Sequence, residues 1–317
     1  MSSGHQMSKR SAFSLVILLV GMTVALIVLP TALATFRLTS EQLSSSLDKR
    51  TAVNRAQSAA SFLKLPVFYC GYGMPSDTDD FKRAFFSQQN SEPFNWDGPI
   101  SVLDRDGKKN AELRLVYGMP GYVAANYSYT KSGSVADVSL KRQLAKDYDL
   151  ITPCRFGKPS NVKNWILFGA MMPPAAPLAV KNIAGSVLRT QCSTTGFVIP
   201  AGDEIYLLRA VKVYCAGGAL YTQDYRSSGA QPRVQGIEDL RFELDKEAGK
   251  LTMYILSRGN MSGTDVQPLN DADEWPDEYK TAAASCNCRL YASKITWSLP
   301  NCLDAEFSSV KNIAAQF

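Results

Sequence analysis

The sequence predicts an α+β fold in which one long N-terminal helix packs on an antiparallel β-sheet. Residues 13–36 form an uncharged run of 24 residues, and residues 37–65 continue with apolar side chains at helical spacing. From residue 100 onward, segments that alternate apolar and polar residues are separated by short turn sequences. The helical pattern therefore comes first in the chain and the strand pattern follows it.

The uncharged run predicts a membrane-spanning helix. At about 1.5 Å per residue, its helix would be roughly 36 Å long, and the hydrocarbon core of a bilayer is about 30 Å thick. The apolar part of a secretory signal has only about 7–15 residues. Ala32 and Ala34 nevertheless form a near match to a signal cleavage site, so cleavage after Ala34 is the alternative. A buried helix of a soluble protein is disfavoured, because a helix this apolar at a chain end has little to pack against.

Three features of this segment bear on how it sits in a membrane. Lys9 and Arg10 precede it, which favours a cytoplasmic N-terminus and sends the rest of the chain across. Pro30 removes one backbone hydrogen bond, which predicts a kink or a looser helix there. Gly21 is small and would allow another helix to approach closely.

The second half of the helix is amphipathic. Its apolar stripe at helical spacing fits two interpretations, a simple linker helix or a helix that packs on the sheet of the head, and Pro66 predicts the end of the helix. The stripe consists of Val53, Ala56, Ala60 and Leu63.

Strands are predicted before and after the middle of the chain, residues 120–200, where the sequence pattern is less regular. They cover Ile100–Leu103, Glu112–Tyr117, Ile205–Tyr214, Ala219–Tyr225, Leu240–Leu244, Leu251–Ile255 and Leu290–Trp297. Asp104, Asp106 and Gly107 resemble the start of a calcium-binding loop, but the other ligand positions are missing, so a hairpin turn is the better interpretation. Residues 120–200 have clusters of Gly, Pro and Ser and are interpreted as rich in insertions.

Composition excludes several classes of function. The formal net charge is +5, and without residues 1–12 the chain has 32 basic and 29 acidic residues, so nothing favours nucleic-acid binding. The only histidine is His5, which removes Ser-His and Cys-His catalytic sites and histidine-ligated zinc from residues 13–317. No motif indicates an enzyme or a cofactor.

Seven cysteines all follow the membrane run, which predicts up to three disulfides and one free thiol in an extracytoplasmic compartment. Their pairing does not follow from the sequence. Cys286 and Cys288 are too close to bond to each other readily, so separate partners are expected, with Cys302 a candidate. The seven are Cys70, Cys154, Cys192, Cys215, Cys286, Cys288 and Cys302.

An acidic patch near residue 275 is a weak calcium-site candidate. Its carboxylates include Asp271, Asp273 and Asp277. Carboxylate oxygens are suitable calcium ligands, but a solvated loop is the simpler interpretation of these residues.

Residues 10–20 (RSAFSLVILLV) resemble the start of a type IV prepilin. The resemblance implies that a prepilin peptidase cuts between Ala12 and Phe13 and methylates the new amine of Phe13. It implies a leader at 1–12, a membrane-spanning half-helix at 13–36, an amphipathic half at 37–65 and an extracytoplasmic head at 66–317. In that family the apolar helix first anchors the subunit and later packs in the core of a filament.

Two positions depart from the prepilin pattern. Ala12 stands where the family usually has Gly, although it is still small. Ile17 stands where most pilins have a Glu that is thought to pair with the amine of a neighbouring subunit. Because an isoleucine cannot form this pair, the resemblance favours a scarce tip or initiating subunit over a major pilin.

Residues 233–242 contain a phrase, Val234 to Leu240, that is similar to one in minor pilins of the PilW kind and in J-type pseudopilins of type II secretion. The resemblance implies a structural subunit that supports pilus assembly, adhesion, secretion or DNA uptake. Its partners would be other pilins, the prepilin peptidase and an inner-membrane assembly platform. The location would be the inner membrane, with the head in the periplasm or outside, and later the pilus or pseudopilus.

Two other classes of function stay open. One is a membrane-anchored extracytoplasmic binding or adhesion domain that never polymerises. The other is an anchored hydrolase, which the lack of histidine after residue 12 disfavours.

Overall fold

We describe the protein from a computed structural model, for residues 6–75, 77–84, 92–131, 135–144, 165–170, 177–192, 197–224, 229–262, 269–271, 275–276, 278–279 and 288–302. For residues 6–15, 131, 192, 261–262 and 269–271 the structure describes the backbone alone. The chain divides into two compact units, Met1–Thr51 and Ala52–Phe317.

The first helix, α1, spans Gln6–Phe68 and has 63 residues. The helix continues through Pro30 without interruption, and the Thr31 hydroxyl donates to the carbonyl oxygens of Ile27 (3.1 Å) and Val28 (2.8 Å). The prediction that the helix ends at Pro66 is wrong. A proline deprives only its own position of an N–H donor, and the helix ends at Phe68, two residues later.

The described residues also hold a short helix and fifteen strands. They are α2 (Thr78–Ala84), β1 (Ile100–Arg105), β2 (Lys108–Ala124), β3 (Tyr129–Lys131), β4 (Val135–Ser139), β5 (Trp165–Phe168), β6 (Leu178–Ala184), β7 (Val187–Cys192), β8 (Phe197–Ile199), β9 (Glu204–Ala216), β10 (Ala219–Asp224), β11 (Ala230–Gln235), β12 (Ile237–Asp245), β13 (Lys250–Ser262), β14 (Leu269–Asp271) and β15 (Cys288–Ser298).

The described strands form a mainly antiparallel structure. The largest sheet has nine strands, with β1-β2-β9-β5-β6-β7-β4 in order and β10 and β11 branching from β9. A second sheet has the order β12-β13-β15-β14, and β3 pairs with β8. All pairs are antiparallel except β14 with β15. The α+β prediction is confirmed, but the strands are divided among several sheets.

The predicted hairpin at Asp106 and Gly107 is present. Arg105 pairs with Lys108 across a two-residue loop, and the two loop residues have φ of 52° and 76°. Positive φ at both central positions is typical of the type I′ turn, which suits the twist of paired strands and favours Asp-Gly. This local sequence is therefore a turn signal.

The middle of the chain contributes more to the large sheet than the sequence indicated. Strands β4 to β7 lie in it, although residues 120–200 were expected to be insertions. All four residues of β5 are buried, as are the first three of β6. A strand that is covered on both faces does not alternate apolar and polar residues, so the period-two signal is missing.

The main core lies where the last part of α1 meets both large sheets. The buried helix face consists of Ala52, Ala56, Ala59, Leu63 and Val67. Its neighbours come from β1, β2 and β9 of one sheet and from β12 and β13 of the other. The predicted stripe is correct at Ala56 and Leu63, whereas Val53 and Ala60 are half-buried on its flank.

Gly236 marks the point where the chain passes from one sheet to the other. It follows β11 and precedes β12, with φ of +78°. Its N–H donates to Gly218 O (2.7 Å), and its carbonyl oxygen accepts from Arg258 N (2.9 Å). A Cβ at this position would lie 2.7 Å from the Arg55 guanidinium. The conformation and the close approach both require glycine.

Candidate membrane anchor and assembly surface

The first unit contains a helical stretch whose large apolar side chains are exposed. By length and composition α1 could span a membrane, and none of its most apolar window is buried. Apolar surface of this size is unfavourable in water, and lipid or other apolar helices would cover it. The exposed residues are Val16, Ile17, Leu18, Leu19, Val20, Met22, Val24, Leu26, Ile27, Val28, Leu29, Leu33 and Phe36.

The predicted helix sites all lie in α1. Ala12 and Phe13 are within the helix, but their side chains are outside the description. Ile17 is 58% exposed. A Cβ at Gly21 would have no atom within 4 Å, so this position presents bare backbone on an open surface. Pro30 lies in the same exposed stretch.

The threonines of this stretch are compatible with an apolar surrounding, because their hydroxyl groups are hydrogen-bonded within the helix. Thr23 and Thr35 each donate their hydroxyl to the carbonyl oxygen four residues earlier, at 2.8 Å. Because these donors are satisfied within the helix, they can enter lipid at little cost.

The second unit presents its own exposed apolar residues on α1. Phe62, Leu65 and Phe68 are about half exposed, and they recur every three residues on the side away from the buried stripe. Spacing of three to four residues places side chains on one helix face. Part of the helix that packs on the sheets therefore also has an apolar outer surface.

Polar contacts fix this helical segment on the head. The Arg55 guanidinium donates to Arg258 O (2.6 Å), Gly259 O (2.9 Å) and Asn260 Oδ1 (2.9 Å). The Ser257 hydroxyl donates to Ala52 O at 3.0 Å. These bonds join α1 to β13 alongside the apolar core.

A buried ion pair links the two large sheets. Arg241 on β12 donates to Asp239 Oδ2 (2.8 Å) and to Lys109 O on β2 (2.6 Å). The Lys108 ammonium lies 3.5 Å from Asp239 Oδ1. The Lys108 side chain, which is partly exposed, therefore also belongs to this network.

A second charged network lies on β1 and β2. Glu112 accepts from Arg105 (2.7 Å) and Arg114 (2.8 Å). Burial raises the pKa of Glu112, but the hydrogen bonds and charge of Arg114, with Arg105, outweigh burial and hold that pKa below its usual value. The Arg105 guanidinium also stacks 3.4 Å above the Tyr214 ring. In both networks, buried carboxylates of the head are paired with arginines.

The cysteines fall in different places. Cys70, Cys215 and Cys302 are thiols in the structure, and Cys288 is in a disulfide. Cys302 lies beside Cys70 in the main core, whereas Cys288 belongs to another apolar cluster, so Cys302 is not placed beside Cys288. Cys192 ends β7, and its side chain is outside the description, as are Cys154 and Cys286.

The weak calcium candidate is only partly within the described chain. Asp271 ends β14, and Asp273 and Asp277 lie outside the described residues. Glu278 pairs with Lys109 at 3.0 Å. Among the residues that the structure describes, no group of three or more His, Cys, Asp or Glu could hold a metal ion.

An open cleft of about 450 Å³ lies between β1 and β12. These strands are edges of the two large sheets, and the partly exposed apolar residues of the lining are Val102, Leu103 and Leu244. Its polar and charged lining consists of Asp97, Ser101, Asn110, Glu243 and Lys246.

Comparison with known proteins adds no relative to these features. No protein-family model, no curated protein and no solved structure matches this chain. A membrane-compatible helix and a mainly antiparallel α+β head are therefore what the fold and the site define.

Proposed function

We propose that this chain is a minor pilin or pseudopilin, a structural subunit near the tip of a type IV pilus or type II secretion-like filament. The single observation that supports this most is the exposed apolar stretch of α1, which stands at the start of a helix whose last part is built into the head. One helix then serves as a membrane anchor before assembly and as a packing element afterwards.

The N-terminal sequence supplies the orientation and the processing in this proposal. Lys9 and Arg10 keep the leader in the cytoplasm. The prepilin peptidase cuts between Ala12 and Phe13 and methylates Phe13. The head lies in the periplasm or outside, and the inner-membrane assembly platform and other pilins are the partners.

Three features of α1 support packing against other helices. Gly21 presents open backbone, which permits close helix approach in an apolar environment. Phe62, Leu65 and Phe68 offer a further apolar face on the head. Ile17 carries no charge to pair with a subunit above it, which suits a terminal position.

Site-specific crosslinking in the native cells tests the assembly. A photoreactive residue at Leu26 should give adducts with other pilins, whereas the same residue at Glu247, in the exposed turn after β12, should give few. If Leu26 gives only lipid adducts while the protein is processed normally, the chain is an anchor and not a filament subunit.

The cleft between β1 and β12 supports a second candidate, a membrane-anchored binding domain that does not polymerise. Its lining combines carboxylates, a lysine and apolar side chains, which suits a small polar ligand. A ligand screen on the full chain, with Glu243→Gln as the variant and Glu247→Gln as the control, tests it. Binding that depends on Glu243, together with absent pilin crosslinks, would favour this candidate.

A further inference from the structure

The segment after β15 docks on the end of α1. Asn301 Nδ2 donates to Phe68 O at 3.0 Å, which satisfies a carbonyl at the helix C-terminus. Leu299 N donates to Gly249 O (2.7 Å), and Cys302 N donates to Leu299 O (3.3 Å). Asn301, near the end of the described chain, is thus held against the C-terminal end of α1.

This docking brings two thiols together. Cys302 Sγ donates to Cys70 O at 3.4 Å, so the Cys302 thiol lies directly against residue 70. A Cβ at Gly71 would lie 2.7 Å from Cys302 Sγ. The missing side chain at Gly71, whose φ is +74°, therefore provides the space that the Cys302 thiol occupies.

Both thiols are shielded from water. Cys70 and Cys302 belong to the main core, together with Leu63, Val67 and Leu299. Burial, with the nearby Cys302 thiol, raises the pKa of Cys70 well above its usual value. Because the thiolate is the reactive form, a thiol in this setting reacts slowly once the protein is folded.

We propose that Cys70 and Cys302 form a disulfide bond in the mature protein, made during folding before the core closes. The oxidant is the disulfide form of a thiol–disulfide oxidoreductase. The thiolate of one cysteine attacks that disulfide to give a mixed disulfide, and the thiolate of the other displaces the reduced enzyme. Two protons and two electrons leave the pair, and the enzyme's disulfide becomes a dithiol.

The bond would join positions 232 residues apart and enclose every described strand of the head. A cross-link over so long a loop restricts the unfolded chain strongly. It would also fasten the segment after β15 to the end of α1, in addition to the hydrogen bonds that the Asn301 and Cys302 side chains donate there.

Cys215 provides an internal control. It is a thiol whose Sγ donates to Ile237 O at 3.0 Å. Burial raises its pKa to about 12. With Cys70 and Cys302 bonded, Cys215 is expected to stay a free thiol.

The decisive experiment uses the full chain in detergent, reduced and denatured, then refolded with a mixture of reduced and oxidised glutathione. Free thiols are alkylated under denaturing conditions, and the peptides are mapped by mass spectrometry without reduction. We expect a peptide pair joined through Cys70 and Cys302, and an alkylated Cys215. Natively folded protein in which both Cys70 and Cys302 are alkylated would overturn the proposal.

Thermal unfolding supplies a second readout. Reducing the wild-type protein should lower Tm, and about 10 °C of that shift is expected from opening the long Cys70–Cys302 loop, in addition to the effect of the Cys288 disulfide. Cys70→Ser and Cys302→Ser should each remove this part of the reductant-sensitive shift, and Cys215→Ser should keep it. An equal shift in all three variants would overturn the assignment.

The bond in cells also rests on the proposed extracytoplasmic location of the head, because disulfides persist in oxidising compartments. Alkylation of protein isolated directly from its native membranes separates the two ideas. A linked pair there supports both. If both thiols are free there but bond readily in the glutathione mixture, the mature protein lacks the disulfide. The proposed extracytoplasmic location of the head would then be wrong, although the two cysteines are able to bond.

Discussion

Two stretches of one helix show how environment, and not helix propensity, decides which apolar residues stabilise the head. Leu26 is 73% exposed in the first unit, whereas Leu63 is 1% exposed in the second. The first stretch is apolar on all sides, which suits lipid or neighbouring helices. The second buries a narrow stripe with three alanines, so that α1 can lie close to both sheets. The same helical geometry thus serves two different surroundings.

Two phenylalanines give the largest test of this difference. Phe242→Ala should destabilise the head by about 3–5 kcal/mol, because Phe242 is fully buried in the main core. Phe36→Ala should leave the stability of the head nearly unchanged, because Phe36 is 72% exposed in the first unit. Urea unfolding of the full chain in detergent, followed by tryptophan fluorescence, measures both. Equal losses would remove the distinction between the two stretches.

A charge in the first stretch tests its contact with lipid. Leu26→Arg should cost about 3 kcal/mol for insertion, because an arginine near the centre of a spanning helix is unfavourable. Gln57→Arg, on the exposed side of the second stretch, is the control and should have no effect. The measurement is the fraction of protein that stays in membranes after an alkaline wash. Unchanged retention of the Leu26 variant would argue against a spanning helix.

Two glycines with nearly the same φ separate backbone strain from close packing. Gly236→Ala and Gly107→Ala both place a side chain at positive φ, which costs about 1 kcal/mol or more. Only at Gly236 would the new Cβ also meet Arg55, whereas nothing lies within 4 Å at Gly107. We expect Gly236→Ala to be the more destabilising in urea unfolding. Equal effects would show that Arg55 moves aside freely.

The smallest expected effect is a pH dependence from Glu112. Its folded-state pKa is lowered, so its contribution to stability is present above the unfolded pKa of about 4.3 and is lost as pH falls through the folded value. Glu112→Gln should therefore lose stability relative to wild type at pH 6 and approach it at low pH. Glu247→Gln, in an exposed turn, is the control. A difference that stays constant with pH would contradict this role.

Most of the correct fold predictions came from local sequence patterns. The long helix, the Asp106-Gly107 hairpin and strands β9, β10, β12, β13 and β15 follow from periodicity and turn chemistry over a few residues, whereas β11 and β14 were not predicted. Strand β5 was missed as a sheet strand because both its faces are buried and its sequence does not alternate.

Contacts between residues far apart in the chain could not be predicted from the sequence. The approach of Cys302 to Cys70 joins residues 232 positions apart, and no local pattern encodes it. The Lys108 ammonium lies 3.5 Å from the buried Asp239 carboxylate on the other large sheet, and no local pattern predicts that pair either. The passage between sheets at Gly236 had a signal, since glycine before a strand suggests a special backbone conformation, but its contact with Arg55 needed the fold.

The mass of the intact mature protein, isolated from its native membranes, tests the central proposal most directly. The account predicts a chain that begins at Phe13 and carries one added methyl group, and it predicts that Ala12→Asp leaves the chain uncut. A mature chain that begins after Ala34 would show that the apolar run is a removed secretory signal. It would then serve neither as a lasting anchor nor as an assembly surface.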